Sequence, residues 1–254
     1  MIDLSIDSAK SSVESMKKTI SENGLPSQDI QAYECNTADE SAVTETFDKI
    51  ASHFGHIDVA VLNAGITGGS AIEETEFKDW KQMMDVNVNG TFLCARAAGR
   101  HMLKHGKGGS IIMISSMSGH IVNRPQKQAG YNAGKAAVSH MAKSLASEWA
   151  PHAIRVNCIS PGYIATAANQ GEEMEKLQEE WVKMVPMGRV AKPEEFQGTA
   201  IWLASDASSY VTGSGKSSNN LCEQSCAKHV RYHRRWRVYC MVSARKTRTT
   251  TLGV

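Results

Sequence analysis

Tyr131 and Lys135 stand four residues apart in the segment Tyr131-Asn132-Ala133-Gly134-Lys135. On a helix that spacing puts both side chains on one face, about one turn apart. A free phenol titrates at about pH 10, too high for proton transfer at neutrality. An ammonium beside it stabilises the phenolate and lowers that value. The pair therefore predicts a tyrosine able to pass a proton to or from a substrate oxygen. Tyr-x-x-x-Lys alone is a common spacing, and its plain reading is a solvated helix face.

Three neighbouring segments add to the pair. Ser115-Ser116-Met117-Ser118-Gly119 closes an apolar run upstream of Tyr131. A serine at the C-terminal end of a strand can turn its hydroxyl into a crevice and hold a carbonyl oxygen, although it can equally cap a turn. Asn63-Ala64-Gly65 ends the preceding apolar run, and its glycine lets a ligand come close to the backbone. Asn87-Val88-Asn89-Gly90 interrupts a long helical stretch. Asn is mildly unfavourable inside a helix, and at 87 it could bond the backbone and leave a carbonyl for water.

The elements that must position these residues alternate along the chain. Helical spacing of apolar residues predicts helices over Ser8–Ser21, Asp39–Phe54, Phe77–Lys104, Gln128–Trp149, Glu172–Met184 and Pro193–Ala204. Strands are predicted at Met1–Leu4, Gln31–Asn36, Ile57–Leu62, Ser110–Ser115 and Ile154–Ile159; the last three are the continuous apolar runs of strands buried on both faces. Strands separated by helices imply crossover connections and a parallel sheet, which binds its ligands at the C-terminal strand ends. The fold class expected is α/β: a Rossmann-like, doubly wound parallel sheet over residues 1–213, in one domain.

Composition narrows the function. With 41% hydrophobic residues among 254, the chain can build a core, and a net charge of +2 gives the bulk of it no pull towards polyanions. Cys35, Cys94 and Cys158 sit in apolar patterns and read as reduced, buried thiols. No run approaches a membrane span and the start is not that of a signal peptide, so a cytoplasmic location is the default. From Ser214 the material changes: nine Lys or Arg stand against one acid, with no helical or strand period. Residues 214–254 are expected to be a disordered basic tail. Zinc bound by Cys222, Cys226, His229 and His233 is disfavoured, because only two residues separate Cys226 from His229. RNA binding by the arginines with Tyr232, Trp236 and Tyr239 is the other reading of this tail and is disfavoured as well; no metal site is assigned.

L-N-A-G at 62–65, N-V-N-G at 87–90, I-S-S-M-S-G at 114–119, Y-N-A-G-K at 131–135 and I-S-P-G-Y-I-A-T at 159–166 occur in the order and approximate spacing of the short-chain dehydrogenase/reductase family, and residues 1–213 resemble it. The resemblance implies hydride transfer between NAD or NADP and a secondary alcohol or ketone. It implies Tyr131 as acid–base, Lys135 as its partner and ribose ligand, and Ser116 as the group orienting the reacting oxygen. Asn87 would position a water leading to Lys135. Asp3, Asn36 and Asn63 would border the adenosine half of the cofactor, Asp3 favouring NAD, and Ile164 and Thr166 would meet the nicotinamide amide. The stretch from Ile121 to Lys135 looks like that of fungal polyol dehydrogenases, which act on mannitol, sorbitol or arabinitol. The substrate implied is thus a small polyol or ketose, with the 172–184 helix as its cover and a homo-oligomer as a possible assembly.

The chain departs from the family pattern at both ends. The glycine-rich turn T-G-x-x-x-G-x-G that receives the pyrophosphate is not found, and the segment after Gly213 lacks the D-G-G of a last strand. The sheet is accordingly expected to be truncated at its first strand. Met1–Leu4 and Gln31–Asn36 would then not pair with Ile57–Leu62, and cofactor would bind poorly. A non-catalytic remnant that at most associates with relatives is the alternative function on that reading. Gly134 is a smaller departure, costing up to about 1 kcal/mol in a helix.

Overall fold

The computed structural model describes residues 1–166, 172–217 and 238–239. In chain order the regular elements are β1 (Ile2–Asp3), α1 (Ile6–Glu22), β2 (Tyr33–Glu34), α2 (Glu40–Phe54), β3 (Val59–Leu62), α3 (Phe77–Met84), α4 (Gly90–His105), β4 (Gly109–Ile114), α5 (Ala129–Trp149), β5 (Ile154–Ser160), α6 (Glu172–Met184), α7 (Gln197–Ala204), β6 (Gly215–Ser217) and β7 (Val238–Tyr239). The expected α/β alternation and parallel pairing are both present.

The main sheet runs β6-β5-β4-β3-β7 and is parallel throughout. Its central strands are apolar on both faces because helices cover both. Ala60 and Leu62 of β3, Ile111 and Met113 of β4, and Val156 and Cys158 of β5 pack into the larger core with Val43 and Phe47 of α2, Leu93 of α4 and Val138 of α5. The alternate residues Val59, Val61, Ile112 and Ile159 meet Leu203 of α7 on the other face. The period of two along each strand thus divides its side chains between two helical layers.

Local chemistry ends the helices where the sequence indicates. Asp39 caps α2, its Oδ1 accepting from the Ala42 N–H at 3.0 Å. Gly106 closes α4 in the left-handed region, with φ 73°, which a side chain disfavours.

Two expectations need correction. The stretch from Phe77 to Lys104 is not one helix: a π-helical turn over Asp85–Asn89 separates α3 from α4, and Asn87 lies in it. The segment after Gly213 is not without structure. Gly215–Ser217 pairs with Cys158–Ser160, giving the sheet a short outer strand, because Ser214 O accepts from Cys158 N and Asn157 Oδ1 takes the Ser214 N–H. Val238–Tyr239 likewise pairs with Val59–Ala60. The remaining tail positions, including Cys222, Cys226, His229, His233 and Trp236, lie outside the described residues.

β1 and β2 form a two-stranded sheet of their own and, as expected, do not join β3. They still share the main core, since Ile2 and Cys35 belong to the cluster that holds Leu62 and Phe47.

Gly134 sits in α5, where an added Cβ would make ordinary contacts with Asn87 Cβ and Val88 Cγ2, both at 3.6 Å. Gly134→Ala is therefore expected to raise stability by about 1 kcal/mol through helix propensity. Urea denaturation measures this, and a destabilised variant would show that the contact is tighter than it looks.

Candidate active site

β4 ends at Ile114 and hands the chain to Ser115 and Ser116. Ser116 caps the short 3-10 turn Met117–Gly119, its Oγ accepting from Ser118 N at 3.1 Å. That turn lies directly on α5: a Cβ at Gly119 would stand 2.7 Å from the Lys135 carbonyl carbon, so only glycine allows the approach. Ser115 fastens the same helix from below, donating to Lys135 O at 2.7 Å and sharing a hydrogen bond with Ser139 Oγ at 2.7 Å. These contacts bring the strand end and the Tyr131–Lys135 turn together.

The Ser116 hydroxyl lies on the Tyr131 side of this turn and favours the phenolate. Lys135 is buried, donates from Nζ to Ile114 O at 2.9 Å, and has Nζ 5.7 Å from the Tyr131 ring centroid. Burial lowers its amine to about 8, with Cys158 acting weakly the other way. The Tyr131 phenol is pushed up from its ordinary value by burial, against the Ser116 hydroxyl. This reverses the expected direction. Spacing on a helix fixes how close two groups come, not how dry they are; here desolvation outweighs an amine that lies beside the ring and spends its proton on a carbonyl.

Asn87 is fully buried. Its Oδ1 accepts from Ile66 N at 2.8 Å, and its Nδ2 donates to Ile66 O at 2.9 Å and to Met83 Sδ at 3.0 Å. Its carbonyl, expected to remain for water, takes the Thr91 hydroxyl at 2.8 Å. The π-helical turn supplies this orientation, as such turns often do at functional sites. Asn87 thus pins the loop that follows Asn63-Ala64-Gly65. A Cβ on Gly65 would lie 3.0 Å from Asn87 Oδ1 and 3.4 Å from Lys135 Nζ, so the glycine keeps the crevice above Lys135 clear. Asn87→Leu fills the space but strands both backbone groups of Ile66. A loss of about 2–6 kcal/mol is expected in urea denaturation, from two part-buried backbone groups left unpaired at about 1–3 kcal/mol each; a loss under about 1 kcal/mol would deny Asn87 this role.

Ile164 and Thr166 lie in the segment that follows β5. Ile164 bridges Ala191, Ala165 N donates to Ala191 O at 2.8 Å, and Thr166 N donates to Ile164 O at 2.9 Å. Asn63, half-buried, follows the last residue of β3. Asp3 is the last residue of β1, and Asn36 follows β2 by two residues. Asp3 is buried, with Oδ1 accepting from Ser5 N at 2.9 Å; exposed Asn36 uses Oδ1 to accept from Ala38 N at 3.1 Å. Next to Asn36, buried Thr37 packs against Gly90, where a Cβ would meet its Oγ1 at 3.0 Å. Among the described residues no group of His, Cys, Asp and Glu is arranged to hold a metal ion, and no helix is long and apolar enough to cross a membrane.

Sequence reasoning missed a polar cluster beside Ser116. Ser118 Oγ donates to Asn123 Oδ1 at 3.2 Å, Asn123 Nδ2 donates to the Tyr163 hydroxyl at 3.3 Å, and Gln128 Nε2 donates to Ser118 Oγ at 3.2 Å. Tyr163 stacks on Trp181 of α6 with centroids 4.0 Å apart and planes 3° from parallel. The only signal was that Ser118 and Gln128 lie within three residues of Ser116 and Tyr131.

A family model described as enoyl-(acyl carrier protein) reductase matches residues 3–217. The chain is 45% identical over 186 residues to a sorbose reductase of Candida albicans, covering 72% of this chain and 66% of that protein. It is 44% identical over 184 residues to an NADP-dependent mannitol dehydrogenase of Hypocrea jecorina, covering 72% and 68%. The matches thus span about two thirds of these curated relatives. Among solved structures, a short-chain type dehydrogenase/reductase from Mycobacterium marinum superposes with a TM-score of 0.74 at 37% identity, over 85% of this chain and 81% of that one.

Proposed function

The chain belongs to the short-chain dehydrogenase/reductase family of NAD(P)-dependent oxidoreductases, and from that premise we propose that it interconverts a small polyol and its ketose. The observation that carries the chemistry is the convergence of Tyr131, Ser116 at the end of β4 and the buried Lys135, whose Nζ lies 5.7 Å from the Tyr131 ring centroid. The nicotinamide end of the cofactor would sit in this crevice; the pyrophosphate would lack the glycine-rich turn, so weak binding is expected and the assay needs cofactor in excess. Gly65 leaves the crevice open beside Lys135 Nζ, and Lys135 would hold the ribose. Ile164 and Thr166 would meet the carboxamide through their backbone, while Asn63 and Asn36 would border the adenosine.

The cofactor supplies hydride from its C4 carbon. The protein does the rest. Ser116 holds the substrate oxygen, and Tyr131, a neutral phenol at neutral pH, gives its proton to that oxygen as the carbonyl becomes an alcohol. Lys135 adds positive charge below about pH 8 and eases the proton's departure from Tyr131. Asn87 holds the loop through Ile66, which fixes the crevice wall.

The sugar class follows the names of the relatives, a sorbose reductase and a mannitol dehydrogenase. NADP is the cofactor we assign. The mannitol dehydrogenase is NADP-dependent by name, and the Asp3 carboxylate, which would repel a 2′-phosphate, is turned inward onto Ser5 N. The test is the oxidation of NADPH and NADH by the purified chain with fructose, sorbose and ribulose. Turnover with at least one ketose is expected, at least about 10-fold more efficient with NADPH, a difference of one charge-assisted contact. No turnover with any ketose would end the polyol reading; a preference for NADH would return Asp3 to the ribose.

A further inference from the structure

We propose that Tyr163, Asn123, Ser118 and Gln128 form the wall that reads the substrate's additional hydroxyls, so that this site prefers a polyhydroxylated ketone to a plain one. The proposal deepens the polyol reading above and rests on it. Asn123 is buried to 7% exposure, yet its amide bonds only other side chains of the cluster, Ser118 through Oδ1 and Tyr163 through Nδ2. Buried amides are costly unless each group is paired, and a row of them beside a reaction centre is suited to a ligand with matching polar groups.

The wall is continuous with the reacting groups. The Ser118 N–H donates to Ser116 Oγ, and its hydroxyl receives Gln128 Nε2 from just before Tyr131. A carbonyl held by Ser116 therefore has its neighbouring carbons beside these amides and hydroxyls. The Tyr163 hydroxyl accepts from Asn123 and keeps its own proton to donate, and Gln128, whose Nε2 donates to Ser118 Oγ and Asn132 Oδ1, offers its side-chain Oε1 as an acceptor. Tyr163 and Gln128 are half-buried, so solvent and a ligand can reach them. The side chain–side chain bonds in the wall, at 3.2–3.3 Å, are long for their kinds, and a substrate hydroxyl can displace or join them. The Tyr163 ring is held against buried Trp181, which fixes where its hydroxyl points and couples the wall to α6. A plain ketone would desolvate the same groups and pair none of them, which is how such sites discriminate.

The decisive variant is Tyr163→Phe, which keeps the stacked ring and removes one donor. kcat/KM with NADPH should fall about 10–100-fold for the preferred ketose, mainly through KM, and less than about 3-fold for cyclohexanone, the range of one lost buried hydrogen bond. Calorimetric titration with mannitol should weaken by the same factor, while the melting temperature, lowered only by the one Asn123 N–H left unpaired, stays well above the assay temperature. Asn123→Ala should act in the same direction. Equal losses on ketose and cyclohexanone, or mannitol affinity that is unchanged or absent in the parent chain, would overturn the inference. A parent chain that binds mannitol but transfers no hydride would instead overturn the catalytic reading, and the titration would still decide the wall.

Discussion

Tyr131→Phe is expected to lower kcat for ketose reduction by at least about 100-fold, the lower bound of a positioned general acid's contribution. The substitution removes one oxygen and its proton. The ring remains, with Lys135 Nζ 5.7 Å from its centroid, so the shape of the crevice and the affinity for cofactor should change little. Burial holds the phenol above its ordinary value, so at neutral pH it is protonated and ready to give. Reduction should accordingly be insensitive to Tyr131 ionisation across neutral pH, whereas oxidation, which needs the phenolate, should rise with alkalinity. Steady-state kinetics and fluorescence titration with NADPH check both halves. Near-normal turnover in the variant would remove Tyr131 from its role, and a large loss of cofactor affinity would make it a binding residue instead.

Lys135→Met should cost activity and change how stability depends on pH. The buried amine titrates at about 8, against an ordinary 10.5, a difference of about 3 kcal/mol. The sign follows from proton counts. Between about pH 8 and 10.5 the unfolded chain holds this proton and the folded chain does not, so Lys135 makes stability rise with pH across that window. Below about pH 8 the full cost of burying an ammonium is present. Methionine has no such cost, although it leaves Ile114 O without its donor. Relative to the parent, the variant should therefore be most favoured below about pH 8 and lose that advantage towards pH 10.5. Urea denaturation at several pH values measures the gap; a gap that does not move would show that the amine is solvated. Ketose reduction should fall at least about 10-fold in the variant, because the charge that eases proton departure is gone.

The parts of the fold legible in the sequence were those with a strong period. β3, β4 and β5 are short apolar runs that only a sheet covered on both faces explains, and α5 announces itself from Gln128 to Trp149. The Ser116–Tyr131–Lys135 arrangement was legible because its members sit at the ends of those elements. β6 and β7 were not. Gly215–Ser217 is small and polar and Val238–Tyr239 lies in a basic segment, and both pair through backbone groups that leave no side-chain pattern. The Gln31–Asn36 run reduces to Tyr33–Glu34 because its partner β1 has only Ile2 and Asp3 to offer. The direction of the Tyr131 shift was hidden for a different reason: burial is a property of the assembled site. Asn123 gave no signal at all, since its importance lies in facing Tyr163, forty residues on.

The most direct test of the account is the fate of a labelled hydride. The full chain is incubated with C4-deuterated NADPH and the ketose it prefers, and the polyol formed is weighed by mass spectrometry. One deuterium on the carbinol carbon is predicted, with the labelled product falling at least about 100-fold in Tyr131→Phe. No polyol, polyol without deuterium, or the same yield from the variant would contradict it.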